Sequence, residues 1–265
     1  MKPCDFSYRR PGSVSEAIDL LRSEPASFPL AGGQSLMPAL ALREQRASML
    51  VDIAKLDELH GVFLTDDTVS IGAAVPMWDL ERSDLVHTHL PLLALALSTV
   101  GAPGIRSRAT LGGSAGWADS TSQLPATLAA LNATMVTSSR RLSTDEFFIS
   151  SGRTALDHDE LVLRIEISTV GRHGYGLQLV RRSHITWPVA GAAAVCRSAD
   201  SFRVALFGVA AAPVLIDAAG AADAAEHAAG LTVMYSDERA SSTYRQSVIP
   251  VLARRAVEDA SLRES

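Results

Sequence analysis

Two hydrophobic periods, one helical and one alternating, divide this chain into three stretches. Ala17, Ile18 and Leu21 share one helix face. Ser13-Val14-Ser15-Glu16 opens that helix as a capping box, with Glu16 reaching back to the Ser13 cap, and Pro25 closes it. A strand-like lead, Phe28-Pro29-Leu30, runs into Gly32-Gly33. A helix-compatible run through Leu36, Met37, Leu40 and Leu42 follows, and Met49 to Ile53 reads as a strand. The first 57 residues are therefore expected to form a small α/β unit.

Alternation takes over from Gly61. Val62-Phe63-Leu64 and Val69-Ser70-Ile71 flank Asp66-Asp67 as a hairpin. A short helical segment is expected around Trp78 to Leu85, then an Ala/Leu-rich helix over Leu90 to Val100 that stops at Gly101. A helix with Pro125 in its first turn spans Leu124 to Leu131. Met135 to Ser138 and Glu160 to Ser168 read as strands, with a helical turn over Thr144 to Phe148 between them. From Gly171 the pattern becomes a meander of three antiparallel strands, Tyr175 to Val180, Val189 to Cys196 and Phe202 to Val209. Helices over Ala218 to Ala229 and Thr243 to Ala260 end the chain. The expected fold is α+β with boundaries at 1–57, 58–170 and 171–265.

Composition narrows the function. The 265 residues are 47% hydrophobic and 20% charged, with a net charge of −5 and no basic run. That disfavours nucleic acid or an anionic membrane as partner. The longest apolar stretch, Leu90 to Val100, is too short to span a bilayer. Met1-Lys2-Pro3-Cys4-Asp5-Phe6 lacks the apolar core of a signal peptide, so a cytoplasmic location is expected. Cys4 and Cys196 alone cannot build an iron–sulfur or zinc site. There is no nucleophile elbow, Walker sequence or His-Glu-x-x-His motif. Asp157-His158-Asp159-Glu160 reads as a solvated turn rather than a metal site.

What remains is a pair of glycine stretches. Leu30-Ala31-Gly32-Gly33-Gln34-Ser35-Leu36 and Ala109-Thr110-Leu111-Gly112-Gly113-Ser114 lie about 75 residues apart, and each glycine pair precedes a serine. Alone, a Gly-Gly between strand and helix marks a tight turn as readily as an anion cradle. Two with hydroxyls beside them suit a shared diphosphate, although neither has the G-x-G-x-x-G spacing of a dinucleotide fold.

Both stretches resemble the FAD-diphosphate motifs of the medium, flavin-binding subunits of molybdenum hydroxylases, the family of carbon monoxide, xanthine and nicotine dehydrogenases. The likeness continues through Ile105-Arg106-Ser107-Arg108, Gln123 to Leu131, Arg153-Thr154-Ala155-Leu156 with Asp159-Glu160-Leu161, and Asp237, Ala240-Ser241 and Tyr244-Arg245. It implies FAD bound by Leu30, Ala31, Gly32, Gly33, Gln34, Ser35 and Leu36 in one loop and by Thr110, Gly113 and Ser114 in the other. Val100 would pack near the adenine or flavin, and Val162 on the isoalloxazine. Asp119 matches the family's common Asp after the second motif. Gln123 falls where the family usually has an acid contacting FAD hydroxyls; an amide can accept or donate such bonds. Gln178 is the nearest polar substitute for a family Lys beside the flavin, and Trp117 either shields the flavin or fills core.

The implied function is an FAD-carrying electron-transfer subunit. Molybdenum cofactor and iron–sulfur clusters would sit on a large and a small partner subunit, and an external acceptor would take the electrons. The rival readings are a self-contained flavin oxidase or dehydrogenase, and a flavin-free scaffold subunit.

Overall fold

A computed structural model describes residues 2–183 and 185–263. Strands β1 (Ser7–Arg9), β2 (Ser27–Leu30) and β3 (Met49–Asp52) make a parallel sheet in the order β1-β3-β2. The crossovers that parallel pairing requires contain the helices Val14–Ser23 and Leu36–Leu42. Central β3 is buried on both faces, which explains its unbroken apolar run. Met49 and Val51 pack on Ala17 and Leu21 of one helix, and Leu50 on Leu36 and Leu40 of the other. The Ser13 hydroxyl caps its helix by accepting from the Glu16 amide at 3.1 Å. Glu16 reaches one residue beyond the expected box, accepting from the Gly12 amide at 2.7 Å.

Strands β4 (Val62–Thr65), β5 (Thr68–Gly72), β6 (Thr134–Thr137), β7 (Arg141–Ser143), β8 (Phe148–Ser150), β9 (Arg153–Thr154) and β10 (Val162–Ser168) follow. Five of them form an antiparallel sheet, β4-β5-β10-β6-β7, and β8 pairs with β9 alone. The Asp66-Asp67 hairpin is present, with Asp66 at φ 50°.

A second antiparallel sheet joins β11 (Gly174–Val180), β12 (Ala190–Ser198), β13 (Ser201–Phe207) and β14 (Val214–Ala218) in chain order. The expected meander is present and gains a fourth strand, β14. Ala218 ends that strand, and the helix begins only at Ala221. The alanine-rich run from Ala218 hides this boundary in the sequence, because alanine suits both the buried strand end and the helix.

Helices fill the space between the two antiparallel sheets. Every residue of Gln123–Ala130 is buried, and Pro91–Ser98 is apolar nearly all round, as expected of a helix enclosed on all sides. One continuous core joins β5 and β10, these helices, and Leu177, Ala193, Val195 and Phe207 of the last sheet. The opposite face of that sheet carries Ala190, Ala192, Ala194 and Cys196, which pack on the helix Ser242–Leu262. Small residues set this spacing: a Cβ on Gly176 would lie 2.0 Å from the Ala256 carbonyl oxygen.

Candidate functional site

The loop after β2, the loop and helix around Thr110, and the loop after β11 converge on one cavity of about 570 Å³. Phe28 to Leu36 form its first wall. Gly33 holds φ at +69°, a backbone conformation that turns the chain from β2 toward the helix Leu36–Leu42 and that glycine adopts without strain. The first turn leaves the Ser35 and Leu36 amides without an intrahelical acceptor.

The second glycine stretch is helical, Leu111–Trp117, despite carrying Gly112, Gly113 and Gly116. Thr110 caps it, accepting from the Gly113 amide at 3.0 Å, and the Gly112 amide donates to the Ala73 carbonyl at 3.1 Å. Those two amides are therefore engaged within the chain. At Gly112 and Gly113 the helix tolerates glycine's low propensity because close approach demands it, whereas Gly116 faces open space. A Cβ on Gly112 would lie 2.6 Å from the Ala73 oxygen. A Cβ on Gly32 would lie 2.0 Å from the Arg108 oxygen and 2.8 Å from the Ala109 Cα. The two glycine stretches are thus packed backbone to backbone, and Gly32 is the contact between them.

Thr99, Val100, Gly101 and Ile105 form a third wall. Buried Arg106 fixes it, donating to the Val100 and Gly101 carbonyls at 3.0 Å each while its fork engages Glu81. Gln123 donates its amide nitrogen to the Thr99 hydroxyl at 3.0 Å, and that hydroxyl donates to the Ala96 carbonyl at 2.7 Å. The sequence leaves open whether Gln123 donates or accepts toward a ligand. This arrangement leaves its carbonyl oxygen, an acceptor, for the cavity.

Asp119, Ser114, Val162 and Trp117 also line the cavity, with Trp117 packed on the cluster of Leu36, Leu40 and Leu50. Gln178 does not. Alternate residues of β11 face opposite ways: Leu177 and Leu179 enter the central core, whereas Gln178 bonds Asp259 of the C-terminal helix at 2.8 Å. Its expected place beside the flavin is corrected by that strand parity.

The acidic stretch at 157–160 is a turn with Asp157 and His158 exposed, as expected, but its last residue is buried and its side chains bond distant segments. His158 Nε2 lies 3.0 Å from the Leu21 carbonyl and 3.2 Å from the Ser27 hydroxyl, and Asp159 pairs with Arg22 at 2.8 Å. Glu160 is buried, bonded by Thr137, Arg140 and the Asp157 amide. These contacts tie the second sheet to the first beside the cavity. Burial pushes the Glu160 carboxyl up, but the bonds from Arg140, Thr137 and the Asp157 amide outweigh it and hold the carboxyl below its ordinary value. A lowered folded value contributes stability above the unfolded carboxylate pKa, and this is lost as pH falls through the folded value. Urea midpoints of the wild-type protein are expected to fall between about pH 5 and about pH 3 more steeply than those of Glu160→Gln. Parallel pH profiles would refute the assignment.

Sequence reasoning missed the segment Ile185-Thr186-Trp187-Pro188, which closes the cavity from the last sheet. Ile185 and Trp187 remain 68% and 47% exposed. Large apolar residues in an otherwise polar loop were its signal. Among the described residues, no group of three or more His, Cys, Asp or Glu could hold a metal, and no Lys or Arg lines the cavity.

Residues 4–169 match the family model described as the FAD binding domain in molybdopterin dehydrogenase. The chain is 32% identical to the nicotine 6-hydroxylase medium subunit of Paenarthrobacter nicotinovorans, covering 99% of this chain and all of the other. It is 34% identical to the caffeine dehydrogenase subunit beta of Pseudomonas sp. (strain CBB1), over 81% of this chain and 76% of that one. Its fold superimposes on a chain of carbon monoxide dehydrogenase from Hydrogenophaga pseudoflava with a TM-score of 0.91 at 30% identity, over 100% of each. With a glycine-lined cavity, a family match over more than half its length and relatives matched nearly end to end, the chain belongs to the FAD-binding subunits of the molybdopterin dehydrogenases.

Proposed function

We propose that this chain binds FAD between its two glycine stretches. It would receive electrons from partner subunits that carry molybdenum cofactor and iron–sulfur clusters, and pass them to an external acceptor. The observation that carries this reading is the meeting of the two stretches, through Gly32, at a single cavity.

The residues present suit FAD. The Ser35 and Ser114 hydroxyls and the Ser35 and Leu36 amides offer hydrogen-bond donors for a diphosphate without any basic side chain. Apolar Val100, Ile105, Leu156, Val162 and Trp187 supply the flat, water-excluding surface that aromatic rings require. Asp119 and the Gln123 carbonyl oxygen accept from sugar or ribityl hydroxyls. FAD, when bound, supplies the electron chemistry, and the chain's residues bind it, orient it and exclude water. His158 and Glu160 are engaged in internal bonds, which favours relay over a self-contained oxidase. Residues 1–57, 58–170 and 171–265 serve as the three parts, the first two carrying the glycine stretches and the third closing the cavity. No described helix is long and apolar enough to cross a membrane.

The test is the visible spectrum of the purified protein together with the composition of the complex it purifies in. Flavin absorbance, with a large molybdenum subunit and a small iron–sulfur subunit co-purifying, is the expected result. A colourless chain that cannot be reconstituted with FAD would overturn the proposal. A yellow chain that oxidises an organic substrate alone would favour the self-contained flavoenzyme.

A further inference from the structure

Thr121 is fully buried two residues beyond Asp119, and its hydroxyl sits at a junction. Arg239 Nη1 donates to Thr121 Oγ1 at 3.1 Å. The same hydroxyl donates to Asp119 Oδ1 at 2.7 Å, and the Thr121 amide donates to that oxygen at 2.8 Å. A hydroxyl carries one proton, so a guanidinium N–H directed at its lone pair commits that proton to Asp119. Asp119 Oδ1 then holds two donors. Oδ2, with no hydrogen bond among the described residues, is the atom left for a ligand in the cavity that Asp119 lines.

Arg239 is itself held. Its Nε and Nη2 grip Asp237 Oδ2 at 2.9 and 2.8 Å, leaving Nη1 for Thr121. Asp237 Oδ1 accepts in turn from the buried fork of Arg245. Arg239 lies 70 residues beyond the end of the matched FAD-binding region at 169. We propose that Arg239 is a positioning residue for the cofactor cavity, acting through the Thr121 hydroxyl to hold Asp119 as an acceptor for a sugar or ribityl hydroxyl of the flavin nucleotide. This inference rests on the FAD reading above. It makes cofactor retention depend on the C-terminal part of the chain, through a hydrogen-bond chain rather than through cavity-lining contacts alone.

The test uses the full-length protein stripped of FAD and titrated with FAD by fluorescence quenching, alongside the melting temperature of each apo-protein. Thr121→Val keeps the side chain's shape and removes its hydroxyl, whereas Thr121→Ser keeps the hydroxyl. Thr121→Val and Arg239→Met are expected to weaken FAD binding roughly tenfold, Thr121→Ser less than about twofold. The apo melting temperature of Thr121→Val should stay within about 2 °C of wild type. In an Asp119→Ala background, Thr121→Val should add no further loss, because both changes remove the same contact. Wild-type affinity in Thr121→Val would overturn the inference and leave the FAD reading standing. So would an equal loss from Thr121→Val with or without Asp119. A wild-type protein that takes up no FAD would overturn the function reading itself.

Discussion

Gly32→Val protein is expected to lose most of its FAD, with affinity lowered about 10- to 100-fold. The Cβ would lie 2.0 Å from the Arg108 carbonyl oxygen and 2.7 Å from its carbon. These are backbone atoms, so no side-chain rotation relieves the clash, and the two glycine stretches must separate. Overpacking of this kind costs about 1–3 kcal/mol, or about 5- to 150-fold in affinity when it falls on the geometry of a ligand cradle, which brackets the stated range. Gly113→Val is expected to act by a different route. Its Cβ would lie 2.8 Å from Thr110 Oγ1, so the helix cap is disturbed while Gly32 keeps its seat. Gly104→Ala, whose Cβ meets nothing within 4 Å, is the control. Fluorescence titration of the three variants gives the ranking. Wild-type occupancy in Gly32→Val would show that the contact between the stretches is not what shapes the cradle.

Arg245→Met should produce the largest loss of stability in the chain, about 3–5 kcal/mol, and a fall in melting temperature on the order of 10 °C. Arg245 is 0% exposed. Its fork bonds the Val189 carbonyl, the Gly208 carbonyl at 2.9 Å and Asp237. Burial pushes the Asp237 carboxyl up, yet the Arg239 and Ala240 amides, the charge of Arg239 and the hydrogen bond from Arg245 hold it below its ordinary value. Removing the guanidinium orphans two buried carbonyls and leaves the carboxylate with one cation. Arg245→Lys should recover little, because an ammonium lacks the planar fork that spans three acceptors. A scanning-calorimetry midpoint for Arg245→Met within about 2 °C of wild type would contradict this account.

The glycine stretches were readable because their chemistry is local. The strand-to-helix turn at Gly33 and the hydroxyls beside each glycine pair are properties of a few consecutive residues, whereas the helix Leu111–Trp117, hidden by its glycines, was not legible. The helix opening at Ser13 and the first three strands of the last sheet were readable for the same reason, since caps and hydrophobic periods are written over one or two turns. Gln178 shows where that legibility stops. Alternation in β11 reveals that Gln178 and Leu177 face opposite sides, but it does not say which side meets the cavity and which meets the C-terminal helix. The same holds for Glu160, whose acidic neighbourhood looks like solvent-facing chain until Thr137 and Arg140 arrive from another segment.

Taken by itself, the sequence determined most of the longer elements, the two glycine stretches and the family resemblance, because propensity, capping and residue order are short-range properties. Tertiary structure alone decided three things. It seated Gly32 on the Arg108–Ala109 backbone, it turned the Gln123 amide so that its oxygen remains for the cavity, and it brought Arg239 to Thr121 across 118 positions. Each depends on which surfaces pack together, and that is settled by burying the sheets and helices against one another rather than by any one segment.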